Sequence, residues 1–314
     1  VHTTSIGNTN KLISGDHKGY ASYLFEKTKG TDYLADETFI AAFAQSNAGD
    51  VSPNLWGHPD GVNDYSRMET IGQRQFDKAE GLYYGASELV SGSIDYRHAY
   101  IDFSKNGDVY NSGRACVSAI GMSKLAGSTE DGVGIDIFTE GLVYGDNWPS
   151  ITLVPEDQDC HEEKTILLPT GRMEPVAWTP QVLPVQILRI GNFVLVGVPF
   201  ESTTMVGRHI REAVLDVLDD TGVSRVVMAG YTNAYAGYVV TADEYTVQHY
   251  EGASTHFGKN TETVYKEEFI RLAEAMRDGV GVSSAPEPFD VKDYVSIYTV
   301  GVVFDDKPLF KSFG

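Results

Sequence analysis

The stretch from Val185 to Met228 limits the possible folds more than any other part of the chain. Val185-Gln186-Ile187-Leu188-Arg189-Ile190 and Phe193-Val194-Leu195-Val196-Gly197-Val198 are apolar runs separated by Gly191-Asn192, the pattern of a β-hairpin closed by a two-residue turn. The second run ends at Pro199. Thr203 to Leu218 then sets Val206, Ile210, Val214 and Val217 at helical spacing on one face, and Val223 to Met228 returns as a β-rich strand. Strand, helix, strand is the α/β pattern, so a layered α/β domain is predicted.

Further elements follow from the same periodicities. Met68, Ile71, Gln75, Ala79, Leu82, Ala86 and Leu89 recur every three to four residues and predict an amphipathic helix over 65–90. Thr241-Ala242-Asp243-Glu244 is a capping box that opens another helix, and Tyr265, Phe269, Leu272 and Met276 mark the inner face of one ending near Gly279. Phe39 to Ala44 reads as a strand running into the turn-rich segment 46–54. Beyond it all, Pro286, Pro288 and Pro308 punctuate a tail with two short strand-like runs, Tyr294 to Tyr298 and Gly301 to Phe304. The chain therefore divides into a unit over 1–285 and a linker, or the lead into another module, over 286–314.

With 314 residues, 42% of them hydrophobic, the chain can bury a substantial core as one large domain or two small ones. A formal charge of −20 disfavours nucleic acid, whose binding relies on basic patches. No apolar run approaches the roughly 18 residues a membrane span needs. Val1-His2-Thr3-Thr4 is not a signal peptide, and a polar start without Met suggests a processed or truncated chain. Cys116 and Cys160 are too few and too far apart for a cysteine-rich zinc module. They are either two buried thiols or, in an exported protein, a pair whose closed loop contributes about 4 kcal/mol in the chain-entropy model.

Most catalytic signatures are absent: there is no Gly-x-Ser-x-Gly elbow, no His-Glu-x-x-His helix, no Walker loop and no dinucleotide glycine fingerprint. What remains is polar residues at the ends of core elements. Ser52, in Gly49-Asp50-Val51-Ser52-Pro53-Asn54, sits in a turn where freed backbone NH groups can face an oxyanion, although a solvated turn serine has the same local sequence. Glu201 follows Pro199 at the carboxyl end of a buried strand, where α/β sheets collect ligands and where an acid also satisfies a helix dipole. Tyr231, Tyr235 and Tyr238 follow the next strand, a position typical of half-buried packing tyrosines. His2 lies in a run too polar for a core, and imidazole is the commonest protein metal ligand.

In their order along the chain, several uncommon strings resemble the neutral/alkaline ceramidase family. They are His2-Thr3-Thr4-Ser5 with Asn8-Thr9-Asn10, Ser14-Gly15-Asp16 with Lys18-Gly19-Tyr20-Ala21, Gly49 to Asn54, and Ala126-Gly127-Ser128-Thr129-Glu130-Asp131-Gly132. Pro199-Phe200-Glu201 with Thr203-Thr204-Met205, and Tyr238 with Glu244-Tyr245, Gln248 and Tyr250-Glu251-Gly252-Ala253-Ser254-Thr255, complete the set. The resemblance runs from the first residue to about Gly279 and on into the tail.

The resemblance implies a mixed-sheet ceramidase-type α/β catalytic domain and a zinc-dependent amidase that cleaves ceramide to sphingosine and a fatty acid. It places His2, Glu201 and Tyr238 on Zn2+ ligands, Ser52 on the catalytic serine and Tyr250 on an active-site tyrosine. Ser52 is then the nucleophile or the group that orients an attacking water. Family members carry a further histidine ligand upstream in a His-x-His motif. The chain is accordingly expected to lack the early strands and the C-terminal immunoglobulin-like domain, and to bind zinc weakly and be inactive alone unless another chain supplies the missing segment. The resemblance also implies a Cys116–Cys160 disulfide and a secreted or extracytoplasmic enzyme that draws its substrate from a membrane surface. A zinc hydrolase of another lipid amide or ester, or a non-catalytic lipid-binding relative, shares the same residues.

Overall fold

A computed structural model describes residues 1–105, 115–145 and 155–294. The first part of the chain holds helices α1 (Asp16–Lys29) and α2 (Asp64–Gly85), then strand β1 (Ile94–Asp102). Three two-residue strands follow, β2 (Ile120–Gly121), β3 (Gly127–Ser128) and β4 (Gly132–Val133), then helix α3 (Pro155–His161) and strand β5 (Ile166–Leu168). The predicted strand–helix–strand unit is β6 (Val182–Ile190), β7 (Phe193–Gly197), β8 (Glu201–Ser202), α4 (Thr204–Leu218) and β9 (Arg225–Ala229). It is followed by β10 (Tyr238–Val239), α5 (Ala242–Tyr245), α6 (Tyr250–Ala253) and α7 (Thr261–Arg277).

The main sheet has the order β1-β6-β7-β9. The β6–β7 hairpin pairs antiparallel with Ile190 opposite Phe193, while β7 and β9 pair parallel because α4 carries the chain back across one face. The sheet is therefore mixed. Its inward residues Val185, Ile187, Val194 and Val196 meet Val206, Ile210, Val214 and Leu218 of α4 and Phe269, Leu272 and Met276 of α7, all buried in one cluster. Each such aliphatic side chain contributes roughly 1.5–3 kcal/mol by leaving water. Thr203 caps α4 by accepting from the Val206 amide, and Thr241 and Glu244 form the reciprocal box at α5.

Two expectations are corrected. Helix α2 stops at Gly85 rather than continuing to residue 90; Gly81 and Gly85 weaken its last turns, and Leu82 and Leu89 are exposed. Phe39 to Ala44 forms no strand. Phe39, Ala41 and Phe43 instead pack on Ala21, Phe25 and Phe76 of α1 and α2, and side chains serve their backbone: Thr31 donates to the Phe39 carbonyl and Ala41 N donates to Glu26. Helix α1 and strand β1 are elements the periodicity did not announce. The strand-like runs after Tyr294 lie outside the described residues.

Cys116 and Cys160 form a disulfide. Gly258 sits beside it at φ +83°, and a Cβ there would come within 2.6 Å of the Cys116 sulfur. No helix among the described residues is long and apolar enough to cross a membrane.

Candidate active site

The carboxyl end of the β7–α4 unit brings the first two site residues together. Strands β8 and β10 pair parallel with Tyr238 in register with Glu201, so the two side chains stand next to one another. The loop before β10 then turns its phenols back on the carboxylate. Tyr231 lies at φ +57° and Asn233 at φ +62°, and the hydroxyls of Tyr231 (2.8 Å) and Tyr235 both donate to Glu201. The third residue arrives from the chain's first loop. His2 is held by its amide to the Val51 carbonyl at 2.8 Å and by His17, whose Nε2 donates to the His2 carbonyl while its Nδ1 accepts from Gln75. That places His2 Nε2 2.5 Å from Glu201 Oε2 and 3.5 Å from the Tyr238 hydroxyl.

Ser52 is fixed by a separate set of contacts. Asp50 caps the start of α4 by accepting from the Thr204 amide and hydroxyl, and Gly49 N donates to the Ser202 carbonyl at 2.7 Å, so the turn is locked onto the segment that carries Glu201. Asn47 lies so close to α4 that a Cβ on Gly207 would collide with it. The Ser52 hydroxyl donates to Asp131 Oδ1 at 2.5 Å and accepts from the Asn54 amide at 3.0 Å. Tyr250 opens α6 and meets the Tyr238 ring edge-on at 5.6 Å, with the Lys124 ammonium 5.8 Å from its own ring centre.

Electrostatics follow from burial and from this crowding of acceptors. Burial would raise the Glu201 carboxyl, but hydrogen bonds from His2, Tyr235 and Tyr231 outweigh it and hold the group below its usual range. Burial and then the Glu201 charge push the Tyr238 and Tyr250 phenols up, so both are protonated at neutral pH. Lys124, mostly desolvated, is lowered by burial against the pull of Glu201.

Two hollows flank the site: Ser52 lines one, and its partner Asp131 lines the other. A cleft of about 230 Å³ is lined by His2, Thr4, Asp131, Tyr238, Tyr250 and Glu251. A nearly apolar groove of about 450 Å³ runs along α2, lined by Phe43, Ser52, Pro53, Leu55, Ile71 and Leu82. A larger cavity of about 710 Å³, lined by His98, Tyr100, Trp178 and Phe289, carries none of the site residues.

All five residues singled out in the sequence thus lie in one neighbourhood. His2, Glu201 and Tyr238 converge as one nitrogen and two oxygen donors; two donors on one tetrahedral zinc stand about 3.3 Å apart, close to the 3.5 Å His2–Tyr238 spacing, whereas His2 and Glu201 are drawn together to 2.5 Å by their own hydrogen bond. Among the described residues no three His, Cys, Asp or Glu side chains cluster as a group that could hold a metal ion. Sequence reasoning missed Asp131, Lys124 and the hold of Tyr231 and Tyr235 on Glu201. Asp131 carried a signal only through its place in Ala126 to Gly132, and the tyrosines looked like packing residues.

A serine hydroxyl directed at a carboxylate thus lies in the same neighbourhood as His2, Glu201 and Tyr238 and lines an apolar groove. The family model for the neutral/alkaline non-lysosomal ceramidase N-terminal region matches residues 1–64 and 57–267, and the chain belongs to that family. Neutral ceramidase of Pseudomonas aeruginosa is 42% identical over all of this chain and 48% of its own length. Neutral ceramidase B of Dictyostelium discoideum is 39% identical over all of this chain and 50% of its own. A solved ceramidase structure described as complexed with C2 superposes with a TM-score of 0.81 at 40% identity, over all of this chain and 50% of that one. The chain spans about half the length of the curated relatives it matches.

Proposed function

We propose that this chain carries the catalytic site of an amidohydrolase that cleaves the N-acyl bond of ceramide, releasing sphingosine and a fatty acid. The observation that carries this reading is the placement of Ser52, which lines the apolar groove while its hydroxyl is directed at Asp131 on the wall of the cleft. The groove suits an alkyl chain and the cleft suits the amide. His2, Glu201 and Tyr238 would hold Zn2+, which when bound supplies Lewis-acid polarisation of the amide carbonyl. Ser52 acts as the nucleophile. Tyr250 keeps its proton and donates a hydrogen bond to the oxyanion as it forms. Residues 1–285 are the catalytic unit in this reading, followed by a linker. The Cys116–Cys160 bond supports an oxidising, extracytoplasmic compartment, and a bilayer surface is where such a substrate is met.

The test is turnover of a ceramide in mixed micelles by the holoenzyme, with its zinc content measured alongside. Ser52→Ala is expected to lower kcat about 10³-fold or more with KM within threefold, while zinc stays bound. Near-wild-type turnover in that variant would remove Ser52 from the mechanism. Glu201→Gln is expected to lose zinc, and a full complement of zinc in that variant would sink the donor assignment.

A further inference from the structure

The hub around Ser52 assigns a role to a residue outside the five above. Asp131 stands in the tight connection between β3 and β4, with its amide bonded to the Ser128 hydroxyl at 3.3 Å. Its Oδ1 accepts three hydrogen bonds, from the hydroxyls of Ser52 (2.5 Å) and Thr4 (3.0 Å) and the side-chain amide of Asn54 (2.7 Å). That oxygen is thus the common acceptor of the whole cluster. Ser52 in turn has one proton and two lone pairs. The proton is committed to Asp131 and one lone pair to the Asn54 amide, which leaves a single lone pair free. Asp131 also lines the cleft with Tyr250 and Tyr238.

We propose that Asp131 is the general base of the reaction, a role that rests on the reading of Ser52 as nucleophile. As Oγ of Ser52 bonds to the amide carbon, its proton passes to Asp131 Oδ1 and the carbonyl electron pair moves onto oxygen. When that pair returns, the C–N bond breaks, the nitrogen takes the proton from Asp131, and the free amine departs, leaving an ester on Ser52. Water then attacks the ester carbon and gives a proton to Asp131. The bond from the acyl carbon to Oγ breaks, Oγ recovers that proton, and the fatty acid leaves. Every proton lost is returned, and no oxidant or further reactant is needed.

Asp131→Asn separates this role from a structural one, because the amide keeps an oxygen in the same place for Thr4, Ser52 and Asn54 but cannot take up the proton. In rapid-quench kinetics of the holoenzyme on ceramide, the variant is expected to lose about 10²–10⁴-fold in kcat and the acyl-Ser52 burst, with KM within threefold and Tm within a few degrees. Asp131→Glu keeps a carboxylate and is expected to retain a slowed burst; it decides the matter if Asp131→Asn does not fold. An Asp131→Asn enzyme within tenfold of wild type, a folded Asp131→Glu without a burst, or a wild-type enzyme that never acylates Ser52 would each overturn the proposal. Loss of turnover in Ser52→Ala with retention in Asp131→Asn would discard the base alone. Retained turnover in Ser52→Ala would discard the reading of Ser52 with it.

Discussion

Single residues in this chain take their properties from what surrounds them. His161 shows this for stability. It is fully buried at the end of α3, its Nε2 donates to the Val117 carbonyl at 2.8 Å, and its Nδ1 has no partner. Burial, and then the nearby Lys164 charge, push its pKa from 6.5 down to about 3. A lowered histidine favours the neutral native form, so its contribution is complete above pH 6.5, where both states are neutral. Below that the unfolded chain takes up a proton that the native state refuses, and stability falls by about 1.4 kcal/mol per pH unit from this group until pH nears 3. The urea midpoint is expected to drop between pH 7 and 5, and His161→Gln should flatten that drop. An unchanged slope in the variant would rule out the assignment. The same dependence on context governs Ser52. Its local sequence is that of any turn serine, and only the order of distant strings marked it; Asp131 was invisible because nothing in a Glu-Asp-Gly turn reveals what it faces 79 residues away.

Elements were legible where a repeating pattern met one environment. The β6–β7 hairpin and α4 are each apolar on a face that stays buried along their length, so period two and period 3.6 were enough to find them. Strand β1 mixes Asp95, Arg97 and His98 among its apolar residues and becomes a strand by pairing along β6, Ile94 against Ile190 through Asp102 against Val182. The segment 39–44 failed in the opposite direction: its alternation is real, but helices α1 and α2 absorb it. The disulfide also acts at this scale. It ties α3 to the segment before β2 across a separation of 44 residues, and closing a loop of that length contributes about 4 kcal/mol in the chain-entropy model. The Cys116→Ser/Cys160→Ser double variant should therefore lose 2–4 kcal/mol, read as a lower urea midpoint. A midpoint equal to wild type would mean that the folded contacts around α3 suffice.

At the scale of the whole molecule, net charge dominates. A formal charge of −20 repels itself most strongly in the compact state, and salt screens that repulsion as the Debye length falls from about 30 Å at 0.01 M to about 8 Å at 0.15 M. The urea midpoint at pH 7 is expected to rise over that range. A fall would show that ion pairs such as Lys259–Glu163 outweigh the repulsion. The amino-acid sequence by itself determined the α/β class, the hairpin and its crossover helix, the helix caps and the family, because these depend on local periodicity, on turn chemistry and on strings that stay in order along the chain. Only the tertiary structure decided that Glu201 and Tyr238 share a ladder, that two tyrosines hold Glu201, and that Ser52 faces Asp131. Those relations join residues 30 to 79 positions apart, and they are set by strand register and by the turns that return the chain, neither of which leaves a periodic trace in sequence.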